Sequence, residues 1–119
     1  MRVACLGGGP AGLYFGISMK LRDPDSEVIV FERNRADDTF GWGVVLSDET
    51  LDNLARNDPV SASKIRDYFA YWDDVATIHN GHKELSTGHG FCGIGRKRML
   101  LILQARAKEL GVVLRFESE

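Results

Sequence analysis

Gly7, Gly9, Gly12 and Glu32 are the residues whose types and spacing could do chemistry in this chain, and that chemistry is the holding of a dinucleotide. Gly7-x-Gly9-x-x-Gly12 follows a strand-like run and opens a helical one, the context that gives the pattern its meaning. The first glycine allows a tight turn. The second lets backbone N–H groups approach a pyrophosphate, and the third lets the helix pack close to the strand, with Gly16 extending that face. Pro10, Ala11 and Gly12 form the positive helix start on which the pyrophosphate would rest. Glu32, about twenty residues beyond Gly12, is placed to accept hydrogen bonds from an adenosine ribose. A carboxylate there disfavours a ribose 2′-phosphate, whereas Arg33 and Arg35 beside it would attract one. The expected ligand is FAD or NAD, and spacing does not choose between them.

A second candidate is Arg96-Lys97-Arg98, in the first turn of the last helical pattern, where three cations oppose the helix dipole. Lys97 and Arg98 are read as solvated. Arg96 is read as reaching an anionic cofactor or a buried acid, with Gly93 and Gly95 permitting close approach by a ligand. His79, His82 and His89 lack the carboxylate or thiol that would complete a metal site, so no metal is expected. Asp37-Asp38 and Asp73-Asp74 read as solvated loop, Cys5 as a buried small hydrophobe and Cys92 as structural.

The elements that must position these residues are legible as an α/β order. Arg2 to Leu6 is an apolar strand expected to be covered on both faces. Pro10 starts a helix with Leu13, Ile17 and Leu21 on one face, ending before Asp23-Pro24-Asp25. Glu27 to Glu32 is the second strand of a βαβ unit. Asn34 to Gly43 reads as loop. Ser47 caps a helix with Leu51, Leu54 and Ala55 inward, Asn57-Asp58-Pro59 stops it, and Ser61 caps the next. The stripe Ile65, Tyr68, Phe69 and Trp72 is expected to be helical core. Val75 to Thr87 is a hairpin turning at Asn80-Gly81. Arg96 to Leu110, with Met99, Leu103, Ala107 and Leu110 on one stripe, is a helix ending at Gly111 and feeding a strand from Val112 to Phe116.

Composition narrows the classes. The chain has 119 residues, 44% hydrophobic, enough for one core. Its formal charge of −2 gives no global field to gather nucleic acid or a membrane surface, so any anion is bound locally. No apolar run approaches the roughly 20 residues of a spanning helix. The two cysteines, without Cys-x-x-Cys spacing, fit a reducing compartment, and a cytoplasmic protein is expected.

Gly-Gly-Gly-Pro-Ala-Gly-Leu-Tyr (7 to 14), Phe-Glu-Arg-Asn-Arg (31 to 35), Gly-Trp-Gly-Val-Val-Leu-Ser (41 to 47) and Phe-Cys-Gly-Ile-Gly-Arg-Lys-Arg-Met-Leu (91 to 100) together resemble the N-terminal FAD-binding part of class A flavin-dependent aromatic monooxygenases. The resemblance is strongest to the hydroxylases of aromatic coenzyme A thioesters, and the violacein-pathway tryptophan hydroxylase is similar too. It implies a Rossmann-like FAD-binding βαβ unit with a helical and hairpin insertion, then a helix and strand, incomplete relative to the family. It further implies that Gly7, Gly9, Pro10, Ala11 and Gly12 hold the FAD pyrophosphate, Glu32 the adenosine ribose, Arg33 the adenosine side, and Arg96 the ribityl and phosphate region. Trp42 to Val45 would pass near the isoalloxazine, with Trp42 standing where the family has an arginine. NADH or NADPH would be the reductant and a small aromatic molecule the substrate. No side chain here is a catalytic acid, base or nucleophile. Residues 1–119 would then be an N-terminal fragment, from a partial gene or truncated reading frame, inactive alone. The alternatives are an NAD-binding module of a dehydrogenase and a non-catalytic dinucleotide-binding remnant. Oligomeric state is not legible.

Overall fold

The computed structural model describes residues 1–118. In chain order it runs β1 (Arg2–Leu6), α1 (Pro10–Arg22), β2 (Glu27–Phe31), β3 (Gly43–Ser47), α2 (Asp48–Asn57) and α3 (Pro59–Arg66). It continues through β4 (Ala70–Trp72), β5 (Val75–His79), β6 (His82–Ser86), β7 (Phe91–Gly95), α4 (Arg96–Glu109) and β8 (Val113–Arg115). The first sheet is parallel, in the order β1-β2-β8, with Arg2 opposite Glu27 and Ile29 opposite Val113. An antiparallel sheet, β3-β7-β4, and the two-stranded hairpin β5-β6 make up the insertion.

Helices α1 and α4 pack against each other over one face of the parallel sheet. Leu13 and Ile17 from α1, Val28 and Val30 from β2, Leu103 and Ala107 from α4, and Val112 form the buried core between them. Gly16 lets the layers close, since a Cβ there would stand 3.3 Å from Val112 and 3.5 Å from Val30. Because both helices lie on the same side, β1 is covered on one face only. Val3 and Cys5 point into that face half-buried, whereas Arg2, Ala4 and Leu6 are exposed, which corrects the expectation of a strand covered on both faces and of a fully buried Cys5.

Two further differences have simple causes. Leu21 is exposed although it shares the spacing of Leu13 and Ile17, because each four-residue step overshoots a helical turn by about 40° and the third residue of such a stripe has rotated off the buried face. The stripe from Ile65 to Trp72 is not one helix. Ile65 is buried in α3, which stops at Arg66, Tyr68 is exposed, and Trp72 belongs to β4. Backbone pairing with β7 captures this aromatic segment, and Gly93 of β7 leaves room for the indole, its absent Cβ lying 3.1 Å from Trp72 ring atoms.

The stop at Asn57-Asp58-Pro59 is more than punctuation. Asp58, not Ser61, caps α3, its carboxylate accepting from the Ser61 N–H at 3.3 Å. The same carboxylate takes two hydrogen bonds from Arg106 of α4, at 3.0 and 2.9 Å, with Asp58 only 1% and Arg106 8% exposed. Burial pushes the Asp58 carboxyl up, but the Arg106 guanidinium and Ser61 outweigh it, so the group stays below its ordinary range. Arg106 is correspondingly raised, chiefly by Asp58. This pair ties the helical part of the insertion to the helix that begins at Arg96.

Candidate dinucleotide site

The glycine loop leaves β1 through Gly7, at φ +109, whose N–H continues the ladder to the Phe31 carbonyl at 2.8 Å. Gly12 must be glycine, since a Cβ would stand 2.0 Å from the Gly7 carbonyl oxygen. A Cβ on Gly9 would meet nothing within 4 Å, so the loop is open at its crest. No side chain caps α1 and no acid stands in its first turn, so the helix start, with Pro10 supplying no N–H, leaves those of Ala11 and Gly12 without a cap. Gly8, an unassigned position of the motif, is as constrained as its neighbours. It is buried against Glu32, with a hypothetical Cβ 2.8 Å from the Glu32 Cβ, and its N–H donates to Glu32 Oε2 at 2.7 Å.

That bond locks the acid to the loop. Glu32 Oε1 accepts from the Asn34 backbone N–H at 2.9 Å and from its side-chain amide at 2.8 Å. These contacts hold the Glu32 carboxyl below its usual value, the Asn34 N–H most of all, against a raising effect of burial and with help from Gly8, the Asn34 amide and Arg33. An ionised, oriented carboxylate follows, able to accept further bonds on its remaining lone pairs. Sequence reading missed Gly8 and Asn34; the third consecutive glycine and the Glu-x-Asn spacing were the available signals.

Glu32 is a wall shared by two clefts at the carboxyl ends of β1 and β2, where parallel sheets place ligands. The larger, about 470 Å³, is lined by Leu6, Gly7, Phe31, Glu32, Arg33 and Ser118. The smaller, about 60 Å³, brings Gly8, Gly9 and Glu32 together with Thr39 and Arg96. Arg96 opens α4, its N–H donating to the Trp42 carbonyl at 3.2 Å, and its Nε is buried without a partner. Arg33 is exposed on the side of the larger cleft. The glycine loop, the acid and Arg96 therefore converge, and an uncapped helix start, an open Gly9 and an orphaned guanidinium nitrogen fit an anionic dinucleotide.

Other candidates take different roles. Lys97 is exposed, but Arg98 lies 4.5 Å over the Tyr68 ring and is stacked as well as solvated. Trp42 is 99% exposed and touches neither cleft at Glu32; it lines a separate one with Val44, Trp72, Gly93 and Ile94. His79 faces His82 across the hairpin, while His89 bonds Ser86 and stacks on Phe91. Cys92 is buried, its thiol donating to the Leu46 carbonyl and pushed up in pKa by burial.

A glycine loop between a parallel strand and helix, closed on an acid at the next strand's end, is an arrangement in which α/β folds can hold a dinucleotide. Comparisons carry it further. No protein-family model matches the chain. Across all 119 residues it is 47% identical to the salicyloyl-CoA 5-hydroxylase of a Streptomyces species, covering 23% of that protein. It is 29% identical to the protodeoxyviolaceinate monooxygenase of Chromobacterium violaceum, over 99% of this chain and 32% of that protein. The resemblance to aromatic monooxygenases is thus borne out in the relatives, of whose length the chain spans about a quarter to a third. Its fold matches part of the tetrameric 2-methyl-3-hydroxypyridine-5-carboxylic acid oxygenase, with TM-score 0.83, 24% identity, and coverage of 99% of this chain and 32% of that one. It likewise matches part of CtdE in complex with FAD and a substrate, with TM-score 0.79, 19% identity, and coverage of 100% and 30%.

Proposed function

We propose that this chain is the N-terminal FAD-binding segment of a flavin-dependent monooxygenase that hydroxylates a small aromatic substrate, an aryl coenzyme A thioester being the class its most similar curated relative named above acts on. The observation that carries this reading is the convergence of the glycine loop, the ionised Glu32 that Gly8 fixes, and Arg96 with its unpartnered Nε on adjoining clefts.

Each residue then has a task. Gly7, Gly9, Pro10, Ala11 and Gly12 present the loop and helix start to the pyrophosphate. Glu32, fixed by Gly8 and Asn34, accepts from the adenosine ribose hydroxyls, and Arg33 flanks the adenosine side. Arg96 supplies a cation to the phosphate region. When bound, FAD supplies the oxygen chemistry, with NADH or NADPH as electron source. The chain's own contribution is binding and orientation; no side chain in it acts as acid, base or nucleophile. The reading treats residues 1–119 as part of a larger FAD-binding domain, inactive alone, with a Rossmann-like core. It places the protein in the cytoplasm, in keeping with the free thiols of Cys5 and Cys92. No helix among the described residues is long and apolar enough to cross a membrane.

Titration of the purified protein with FAD, followed by flavin fluorescence with NAD as competitor, tests this. Saturable FAD binding that NAD does not displace and that weakens in Arg96→Ala is the expected result. Preferential NAD binding would overturn the flavin assignment.

A further inference from the structure

Among the described residues, the buried side-chain polar atoms without a hydrogen-bond partner are Arg96 Nε and Thr39 Oγ1. Both residues line the 60 Å³ cleft beside Glu32. An orphaned buried hydroxyl or N–H costs about 1–3 kcal/mol, and such groups in a folded protein call for an explanation. Two of them on residues that line one small cavity have a common one.

The loop that carries Thr39 is held in place. Gln104 of α4, itself buried, donates to the Ala36 carbonyl at 3.0 Å; the Asp38 N–H donates to the Arg35 carbonyl at 3.2 Å; and the Glu117 N–H donates to the Asn34 carbonyl at 3.1 Å. On the other wall, Arg96 is fixed by its backbone bond to Trp42, and its Cδ lies 3.6 Å from where a Gly41 Cβ would stand. Thr39 and Arg96 are therefore each held by backbone contacts where they line the cleft, and Gly8 and Gly9 line it with them. The cavity is far too small for a nucleotide, having room for about two waters at ~30 Å³ each, but it takes one group projecting from a longer ligand.

We propose that Thr39 is a ligand-binding residue whose hydroxyl, paired with Arg96 Nε, receives a phosphate oxygen of the dinucleotide. This rests on the dinucleotide reading above and extends it to a loop position outside the glycine motif. The donor set suits an anion: an O–H, a guanidinium N–H and the Gly9 backbone N–H, the Gly8 N–H being held by Glu32. The two carboxylates at the cleft are matched in charge by Arg35 and Arg96, which line it with them, and their oxygens already accept N–H groups, Glu32 from Gly8 and Asn34, and Asp38 from Arg35 at 3.3 Å.

Thr39→Val and Thr39→Ser, titrated with FAD beside the wild type, test it, with thermal unfolding of each ligand-free protein measured in parallel. Thr39→Val is expected to bind FAD roughly 10-fold more weakly, Thr39→Ser to stay close to wild type, and ligand-free Thr39→Val to unfold no earlier than wild type, since it removes an unsatisfied hydroxyl at nearly constant shape. Wild-type binding with unchanged affinity in Thr39→Val would overturn the role of Thr39 and leave the cavity to ordered water. Absence of FAD binding by the wild type would overturn the dinucleotide reading and this inference with it. Earlier unfolding of ligand-free Thr39→Val with equal loss in Thr39→Ser would mark the residue as structural.

Discussion

The parallel sheet and the β5-β6 hairpin are built from similar short strands, yet they stand on opposite footings. β2 buries Val28 and Val30 under α1 and α4, and its neighbours on both edges share that cover. In the hairpin every residue of both strands is exposed, including Ile78 and Leu85. Its geometry comes from the turn alone, with Asn80 at φ 50 and Gly81 at φ 79. Local chemistry is enough to shape a hairpin and not enough to hold it, because an isolated two-stranded ribbon is marginal in water. The glycine-loop side of the chain is stabilised by packing, and the tip of the insertion only by its own ladder.

Substitutions on the packed side should therefore dominate stability. Asp58→Ala removes both inward hydrogen bonds of the buried Arg106, leaving it only the exposed Glu109 at 3.2 Å, and is expected to cost about 3–5 kcal/mol, read as a fall in unfolding midpoint. Gly12→Ala forces a Cβ against the Gly7 carbonyl, with an expected loss of about 1–3 kcal/mol and weakened FAD uptake; unchanged affinity would separate the loop from the site. Glu32→Gln should destabilise less, and its effect has a pH signature. The folded carboxyl lies below its ordinary 4.5, so its stabilisation is fully present above that value and is lost as pH falls through the lower folded pKa. The gap between wild type and Glu32→Gln should close below about pH 4.5 in denaturant titrations. Smallest of all, Ile78→Thr is expected to shift stability by under about 0.5 kcal/mol. A loss comparable to Asp58→Ala would break the contrast by showing that the hairpin is packed in solution.

Elements governed by their own residues were legible in the sequence. Pro10 began its helix, Asn80-Gly81 made its turn, and Gly111, at φ +86, ended the last helix. What depended on partners far along the chain was not. β3 was read partly as loop because Gly43-Val-Val-Leu-Ser is a strand only through its ladder with β7, and Trp72 moved from a helical stripe to a strand for the same reason. In the site, Gly7, Glu32 and Arg96 were readable from spacing and from the anomaly of cations at a helix start. Thr39 was not, because an unpartnered hydroxyl is a property of its surroundings.

The pairing of β2 with both β1 and β8 also sets an order of assembly. β1 and β2 meet across a short crossover, but Ile29 waits for Val113, roughly eighty residues further on. At about 5–20 residues per second of synthesis, one edge of the central strand stays unpaired for several seconds while the insertion emerges. Slowed translation between residues 35 and 110 should lengthen that interval and make the nascent chain dependent on chaperone cover.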